Sequence, residues 1–589
     1  MDGEGRAGRV LKRLLVGRPI ATYHELHHRL SKRVALAVFS SDALSSSAYA
    51  TDEILLALAA AGSGALRLSI PVAAAVVGVL GVVVVSYRQT VKAYPSGGGA
   101  YIVAKDNFGE FPGLLAASAL FIDYVLTVSV SVAAGVAAIV AAFPHLEGHR
   151  VGMGLGVVAL ITLMNLRGLR ESGRIFAVPT YGFLLAMGAT IVTGAWQVVT
   201  GTSSPLPPPS VPPEQALGLF LVLRAFASGS TALTGVEAIS NGVPVFRPPE
   251  SKNAAATLLI LGILLAGLFA GITFLANALH VDPGAIEHGK TVPSQIARAV
   301  FGGGSPLFFA VQAFTAMILF LAANTSYADF PRLAAILAKD RYLPRVLKHR
   351  GDKLAFSNGI VILALAASAL LAHYRAEVHR IIPLYVIGVF TSFTLSQSGM
   401  VAHWFRLRAP GWRRSALVNG IGACTTFIVL IVVAATKFRL GAWQVVVMIP
   451  VLAWILGVVG RHYRQVAEEL RLSDEVERIE ANKVVILGSP FPAATTKALA
   501  FARAFSPREL HVLAFRLSER SLKGTRQHWK ALGVKAPIEA TGPRLGDLVE
   551  YVRGLQPSAS EPVMVALPDA QFHNPLRQIR AGRLLIRIK

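Results

Sequence analysis

Three carboxylates stand in stretches otherwise apolar enough to lie in a lipid bilayer: Asp42 in SSDALSSSAYA, Asp123 in ALFIDYVLTVSVSVAAG and Glu237 in TALTGVEAIS. A charge at bilayer depth costs a few kcal/mol on insertion scales, so each acid needs a partner or a task. Other oxygens recur around them at helical spacing. Asp123, Thr127 and Ser131 follow at i, i+4 and i+8, which lines a carboxylate and two hydroxyls along one helix face. Thr234 and Glu237 are i, i+3, and Tyr49 follows Asp42 by two turns. An all-oxygen set of carboxylates, hydroxyls and freed carbonyls suits a hard monovalent cation, and the sequence offers no His or Cys cluster for transition-metal chemistry.

Each residue also has a plainer reading. Thr127 and Ser131 can satisfy carbonyls one turn back on their own helix. Glu237 can be a structural acid paired with a backbone group or with Arg224 on its own span, and Tyr49 an interfacial aromatic. Asp329 and Arg332, at i, i+3 in ANTSYADFPRL, read as a structural ion pair and stay outside the set. Asp42 bears on the substrate. A permease for zwitterionic amino acids needs bare N–H groups and helix N-termini facing the carboxylate, and a fixed negative charge there opposes this. It favours a cation and still tolerates an amine.

To hold such groups the chain must cross a bilayer repeatedly. Of its 589 residues 53% are hydrophobic and 15% charged, with mean hydropathy +0.54, against about 25% charged in soluble proteins. The reading is an α-helical polytopic membrane protein with twelve transmembrane helices near 33–61, 68–88, 112–142, 149–166, 174–200, 214–245, 254–278, 304–337, 355–373, 380–407, 416–436 and 441–461. Connections on the side of the N-terminus carry 27 Lys and Arg against 8 on the other. That bias places both termini in the cytoplasm, in a bacterial-type plasma (inner) membrane. The net charge of +24 is then a property of the inner loops, above all 339–353, and not of a nucleic acid polymer as partner. The opening MDGEGRAGRVLKRLLVGRP has no apolar run before a small-residue cleavage site, so the first span is expected to be retained. His24, His27 and His28 read as part of a solvated basic face at the lipid surface.

The first and sixth spans are interrupted by small polar residues, SSDALSSSAYA at 40–50 and ASGSTALTG at 227–235. Small residues also serve close helix packing. Breaks at matching positions of two five-helix halves nevertheless mark a 5+5 inverted repeat with its site at the midplane, spans eleven and twelve lying outside it. YPSGGGAYIVAKDNFGE (94–110) lacks the GK[ST] ending of a phosphate loop and reads as a flexible re-entrant connection. The single cysteine, Cys424, excludes a disulfide framework within the chain and is expected to pack against neighbours inside its span. No Ser/His/Asp set, metal motif or nucleotide-hydrolysis loop marks an enzyme.

Beyond Leu470 strands (483–489, 509–517, 536–540, 562–568) alternate with helices (495–505, 525–533, 545–555), predicting a small doubly wound α/β domain. The expected division is a basic cytoplasmic segment 1–32, a transmembrane domain 33–461 and a cytoplasmic α/β domain 462–589, joined through the charged helix RLSDEVERIEANK.

SSDALSSSAYATDEILL, the segment from YPSGGGAYIVAKDNFGE to VSVAAG, TALTGVEAISNGVPVFRPPESKNA, NTSYADFPRLAAILAKDRYLPR and TKFRLGAWQVVV together resemble the KimA-type potassium importers of the amino acid–polyamine–organocation superfamily, over residues 33–461. The resemblance implies a twelve-span inverted-repeat fold, a homodimer with exchanged cytoplasmic domains, and import of K⁺ with H⁺. It implies potassium-site roles for Asp42, Tyr49, Asp123, Thr127, Ser131, Thr234 and Glu237, with Glu237 or an aspartate as proton carrier. It also implies a universal-stress-protein-like tail that binds cyclic di-AMP as a regulatory ligand. Where that pattern continues with another helix and a final pair of strands, the sequence after Leu567 is short and basic and reads as truncated.

The resulting expectation is a secondary active cation transporter working by alternating access, with no cofactor. Two rivals stay open: an amino acid or polyamine permease on the same scaffold, and a nutrient sensor that no longer transports.

Overall fold

Runs of Val, Leu, Ile and Ala longer than a bilayer's hydrocarbon core set the helices of this protein. Its computed structural model describes residues 30–95, 97, 99–167, 173–287, 289–348, 356–469, 483–487, 492–505, 507–514, 519–531, 538–540, 545–557 and 561–566. The chain divides into two compact units, Met1–Ala467 and Glu468–Lys589. His24, His27, His28, the joining stretch 470–482 and the terminal stretch 567–589 lie outside the described residues.

Among the described residues the first unit is built of helices. Its elements are α1 (Lys32–Phe39), α2 (Ser41–Ala59), α3 (Ser69–Ala93), α4 (Gly99–Phe108), α5 (Glu110–Ala142), α6 (Arg150–Leu166), α7 (Gly173–Val199) and α8 (Leu219–Gly229). They continue with α9 (Ala238–Asn241), α10 (Glu250–Ala278), α11 (Val292–Phe301), α12 (Pro306–Lys339), α13 (Ser357–His373), α14 (Val378–Leu407), α15 (Trp412–Lys437) and α16 (Ala442–Glu469). Among the described residues ten helices are long and apolar enough to cross a membrane. Two further expected spans take other forms: the α1–α2 pair, parted at Ser40, and α13, which has 17 residues, about the minimum for a spanning helix.

Burial separates the wall of the bundle from its centre. Leu185, Val192, Trp196, Ile263, Leu365, Leu417 and Trp454 stand out from the surface, as large apolar side chains do when lipid is their solvent. In α5, 78% of the most apolar window is buried inside the protein, against 17% around α6. α5 is thus a central helix, packed against α12 and α14, and the acid it carries is shut away from lipid. Cys424 departs from expectation. It is exposed, on an outer groove with Phe405, Trp412 and Ile428, because the spacing of α15 turns it toward lipid.

The stretch 94–110 departs as well. From Gly99 to Phe108 it is a helix, α4, packed on α5 and α14. Its glycines allow close approach: a Cβ on Gly99 would fall 2.0 Å from Asn241 Oδ1, at the end of the interrupted sixth span.

Among the described residues of the second unit are four strands, β1 (Lys483–Leu487), β2 (Glu509–Ala514), β3 (Ile538–Ala540) and β4 (Val563–Ala566), with α17 (Pro492–Arg503), α18 (Glu519–Ala531) and α19 (Leu545–Gly554) between them. The strands pair in parallel in the order β3-β2-β1-β4. Alternate residues bury on opposite faces, Val484, Ile486 and Val512 with Leu499 and Trp529, and Val485, Leu487 and Leu513 with Leu548. A parallel sheet covered on both sides is what crossover helices produce.

Candidate cation site

The two interruptions are built differently. At the first, only Ser40 leaves the helix, and Leu44 N already donates to the Ser40 carbonyl at 2.8 Å. Ser45, Ser46 and Ser47 continue helically because each hydroxyl donates to the carbonyl three residues back, at 2.7, 2.6 and 2.7 Å, so the serine run leaves the helix intact. The expected break at 40–50 is therefore confined to its first residue. At the second, α8 ends at Gly229, a 3₁₀ turn covers Ser230–Leu233, Thr234 is extended, and Gly235 has φ +79° before the single turn α9. Irregular backbone at membrane depth persists only where protein or a cavity surrounds it, and residues 227–240 are all buried.

The second interruption lies directly on the first. A Cβ on Gly235 would fall 2.7 Å from Asp42 Cγ and 2.7 Å from the backbone nitrogen of Ala43, so only glycine gives both the left-handed φ and the close approach. Ser46 Oγ also donates to the Ala232 carbonyl at 3.2 Å, joining the two again. Behind them, the Asp123 and Glu237 carboxyls lie within hydrogen-bond reach of each other, and the charge of Asp42 acts on both. Asp123 is 2% exposed. Three of their oxygens, Asp42 Oδ1, Asp123 Oδ1 and Glu237 Oε2, are buried and accept no hydrogen bond among the described residues.

The hydroxyls gather at the same place, though unevenly. Tyr49 is buried, away from any interface, with its hydroxyl in hydrogen-bond reach of Thr234, and Thr234 Oγ1 donates to the Thr231 carbonyl at 2.9 Å. Thr127 does not bond back to its own helix; its Oγ1 donates to Tyr385 Oη at 3.0 Å. Ser131 is buried two turns beyond Asp123, and none of the described hydrogen bonds ties it to the acids. Arg224 faces Glu53 and Lys437 instead of Glu237, which removes it as the partner of that acid. Asp329 does meet Arg332, at 3.5 Å, yet its charge also reaches Asp42 and Glu237.

Sequence reasoning missed three buried groups here. Tyr385 sits in α14 close to Asp42, Tyr49 and Asp123, and a tyrosine amid IIPLYVIGVF was its signal. Asp52 and Glu53 are buried within the first span, where their closeness to the span's end hid them. Asp52 accepts from Val292 N at 3.2 Å and so closes the start of α11. Among the described residues no three His, Cys, Asp or Glu side chains converge as a metal-ion cluster.

Comparison with known proteins agrees with this architecture. A sequence model of the family described as amino acid permease matches residues 32–458. The potassium transporter KimA of Bacillus subtilis (strain 168) is 42% identical over 527 residues, 89% of this chain and 86% of that protein. The branched-chain amino acid permease BcaP of Lactococcus lactis subsp. cremoris (strain MG1363) is 25% identical over 308 residues, 49% of this chain and 64% of that protein. With the family model spanning most of the chain and KimA alike along almost all of it, the chain belongs to the amino acid permease family, in its KimA-type branch.

Proposed function

We propose that the protein imports K⁺ coupled to H⁺ by alternating access, binding the ion where the second interruption meets Asp42. The observation that carries this is the placement of Gly235 on the Asp42 carboxylate with the Asp123–Glu237 pair behind it. Asp42, Asp123 and Glu237 supply charge, and Tyr49, Thr127, Ser131 and Thr234 supply neutral oxygens. Glu237, beside Asp123, carries the proton inward with the ion, and the bound cation favours its release on the cytoplasmic side through charge repulsion. Inward movement of K⁺ down an inside-negative potential gains about 2.3 kcal/mol per 100 mV.

The same reading takes the α1–α2 pair and α13 as spans, twelve in all, the first ten forming two inverted five-helix halves with both termini in the cytoplasm. Residues 1–32, 33–461 and 462–589 are then the N-terminal segment, the transporter and the cytoplasmic domain of a homodimer in a bacterial inner membrane. The α/β unit is its regulatory part, with cyclic di-AMP as the ligand to test.

The experiment is Rb⁺ uptake into proteoliposomes with and without an inward proton gradient, for wild type and Asp123→Asn. Proton-driven uptake that K⁺ competes with and the variant loses is the expected result. Near-normal accumulation in Asp123→Asn removes the site. The partial likeness to a branched-chain amino acid permease motivates a second arm: uptake competed by amino acids or putrescine instead of K⁺ selects a permease. Flux that survives deletion of the tail rules out a sensor.

A further inference from the structure

Lys437, the last residue of α15, has its side chain inside the protein and is 3% exposed. Its Nζ donates to Ser228 Oγ at 2.5 Å and stands 4.0 Å from Glu53 Oε2. A lysine buried in a membrane bundle is costly, and an apolar pair of similar volume would serve stability as well or better. The pair is also loose. Charge-assisted N–H···O⁻ bonds close to about 2.7–2.9 Å, whereas this carboxylate is held off while the ammonium rests on a hydroxyl.

Glu53 has a particular place in the bundle. It follows Tyr49 by one helical turn and lines two cavities at once. One, of about 50 Å³, includes Tyr49, Asp52, Arg150 and Thr291; the other, of about 420 Å³, includes Arg224, Ser228, Tyr374, His379 and Lys437. The smaller is large enough for a few water-sized occupants. Asp52 is already committed to Val292 N, so Glu53 is the carboxylate left to face both spaces. Glu377, the remaining acid of the smaller cavity, is held by Arg380 at 2.6 Å.

We infer that Glu53 and Ser228 form an outer way-station for the transported monovalent cation, and that the Lys437 ammonium is its tethered occupant, displaced when a cation arrives. An alkylammonium and K⁺ carry the same charge and take the same oxygen ligands. Lys437 therefore keeps Glu53 compensated between transport events, and Arg224, whose charge also acts on Glu53, disfavours holding Lys437 and a second cation there together. The cation passes from the larger cavity to Glu53 and on past Tyr49 to the acids. Lys437 is a positioning residue, acting through Glu53.

This rests on the potassium-import reading and is tested beside it, by the KM for external K⁺ in Rb⁺ uptake by full-length wild type, Lys437→Gln, Glu53→Gln and the neutral pair Glu53→Gln/Lys437→Met. Without its competitor Glu53 holds K⁺ more tightly, so KM falls about tenfold in Lys437→Gln; without the carboxylate it rises about tenfold in Glu53→Gln. The neutral pair, which leaves no charge buried alone if a single variant fails to fold, follows Glu53→Gln. A neutral pair with wild-type KM, or variants that change kcat alone, overturn the way-station while leaving import intact. A wild type that takes up no Rb⁺ overturns both.

Discussion

Replacing Gly235 by alanine tests the contact on which the proposed site depends. At φ +79° an L-residue pays about 1–2 kcal/mol for the left-handed conformation. The new methyl would also lie 2.7 Å from Asp42 Cγ, 2.8 Å from Asp42 Oδ2 and 2.7 Å from Ala43 N, well inside ordinary contact. Because Ala43 N is backbone, turning one side chain does not relieve the clash, and overpacking of this kind costs about 1–3 kcal/mol. Together these give roughly 2–5 kcal/mol, which is about a thirtyfold loss or more where the two interruptions must close for transport. The assay is Rb⁺ uptake beside thermal unfolding in detergent. The control is Gly267→Ala, a helical glycine whose Cβ would meet nothing within 4 Å; that change is neutral or stabilises by about 0.5–1 kcal/mol. Wild-type uptake and stability in Gly235→Ala would refute the close approach of the sixth span to Asp42.

Thr127→Val and Tyr385→Phe each break one hydroxyl contact at about 1–3 kcal/mol, and the double variant costs less than their sum, read as KM for Rb⁺. Asn419→Leu strips partners from Trp404 Nε1, Ser86 and Gln397, lowering stability by about 1–3 kcal/mol in a detergent melt while KM stays put. Glu237→Gln removes the neighbour of Asp123, so gradient-driven accumulation is lost while Rb⁺/K⁺ exchange persists. In the α/β unit, the Tyr551 hydroxyl, helped by His511, holds the Glu539 carboxyl below its ordinary value of 4.5. Its stabilising effect is therefore complete above that value and lost as pH falls through the lowered one. Hydrogen exchange in the full-length protein should show β2 and β3 losing protection below about pH 4.5, a step that Glu539→Gln flattens.

Much of this arrangement was legible because membrane cost is a sharp filter: hydropathy located the long helices, and Asp42, Asp123 and Glu237 stood out by expense alone. What escaped depended on three-dimensional neighbours. The serine run looked like a broken helix, yet Ser45, Ser46 and Ser47 satisfy their own helix. The glycines at 97–99 looked flexible, although Gly99 is where α4 passes closest to Asn241. Cys424 was placed inward because an apolar segment has no single inward face when lipid is the other solvent. Tyr385, more than 250 residues from Thr127 in sequence, had no local pattern to reveal its partner, and Glu53 gains meaning only from the two cavities it lines.

The proposed coupling of cation and proton rests on how little compensation the site contains among the described residues. Two unit charges 4 Å apart repel by about 4 kcal/mol at an effective dielectric of 20, and Asp123 and Glu237 are close enough to share a hydrogen bond, with Asp42 adding a third charge. Arg332 lies beside Asp329 and is 43% exposed at its side chain, so it balances that acid at the edge of the group. Arg224 and Lys437 line one cavity with Glu53, and their charge acts on that acid. Positive charge for the three central acids must therefore arrive as an ion. In the proposed cycle a proton shared between Asp123 and Glu237 leaves one negative charge beside Asp42 for K⁺, so that the two ions are carried inward together. With three acids for one proton and one K⁺, the proposed site holds both in the same cycle, and their coupling is set by the distance between the carboxylates with no separate device.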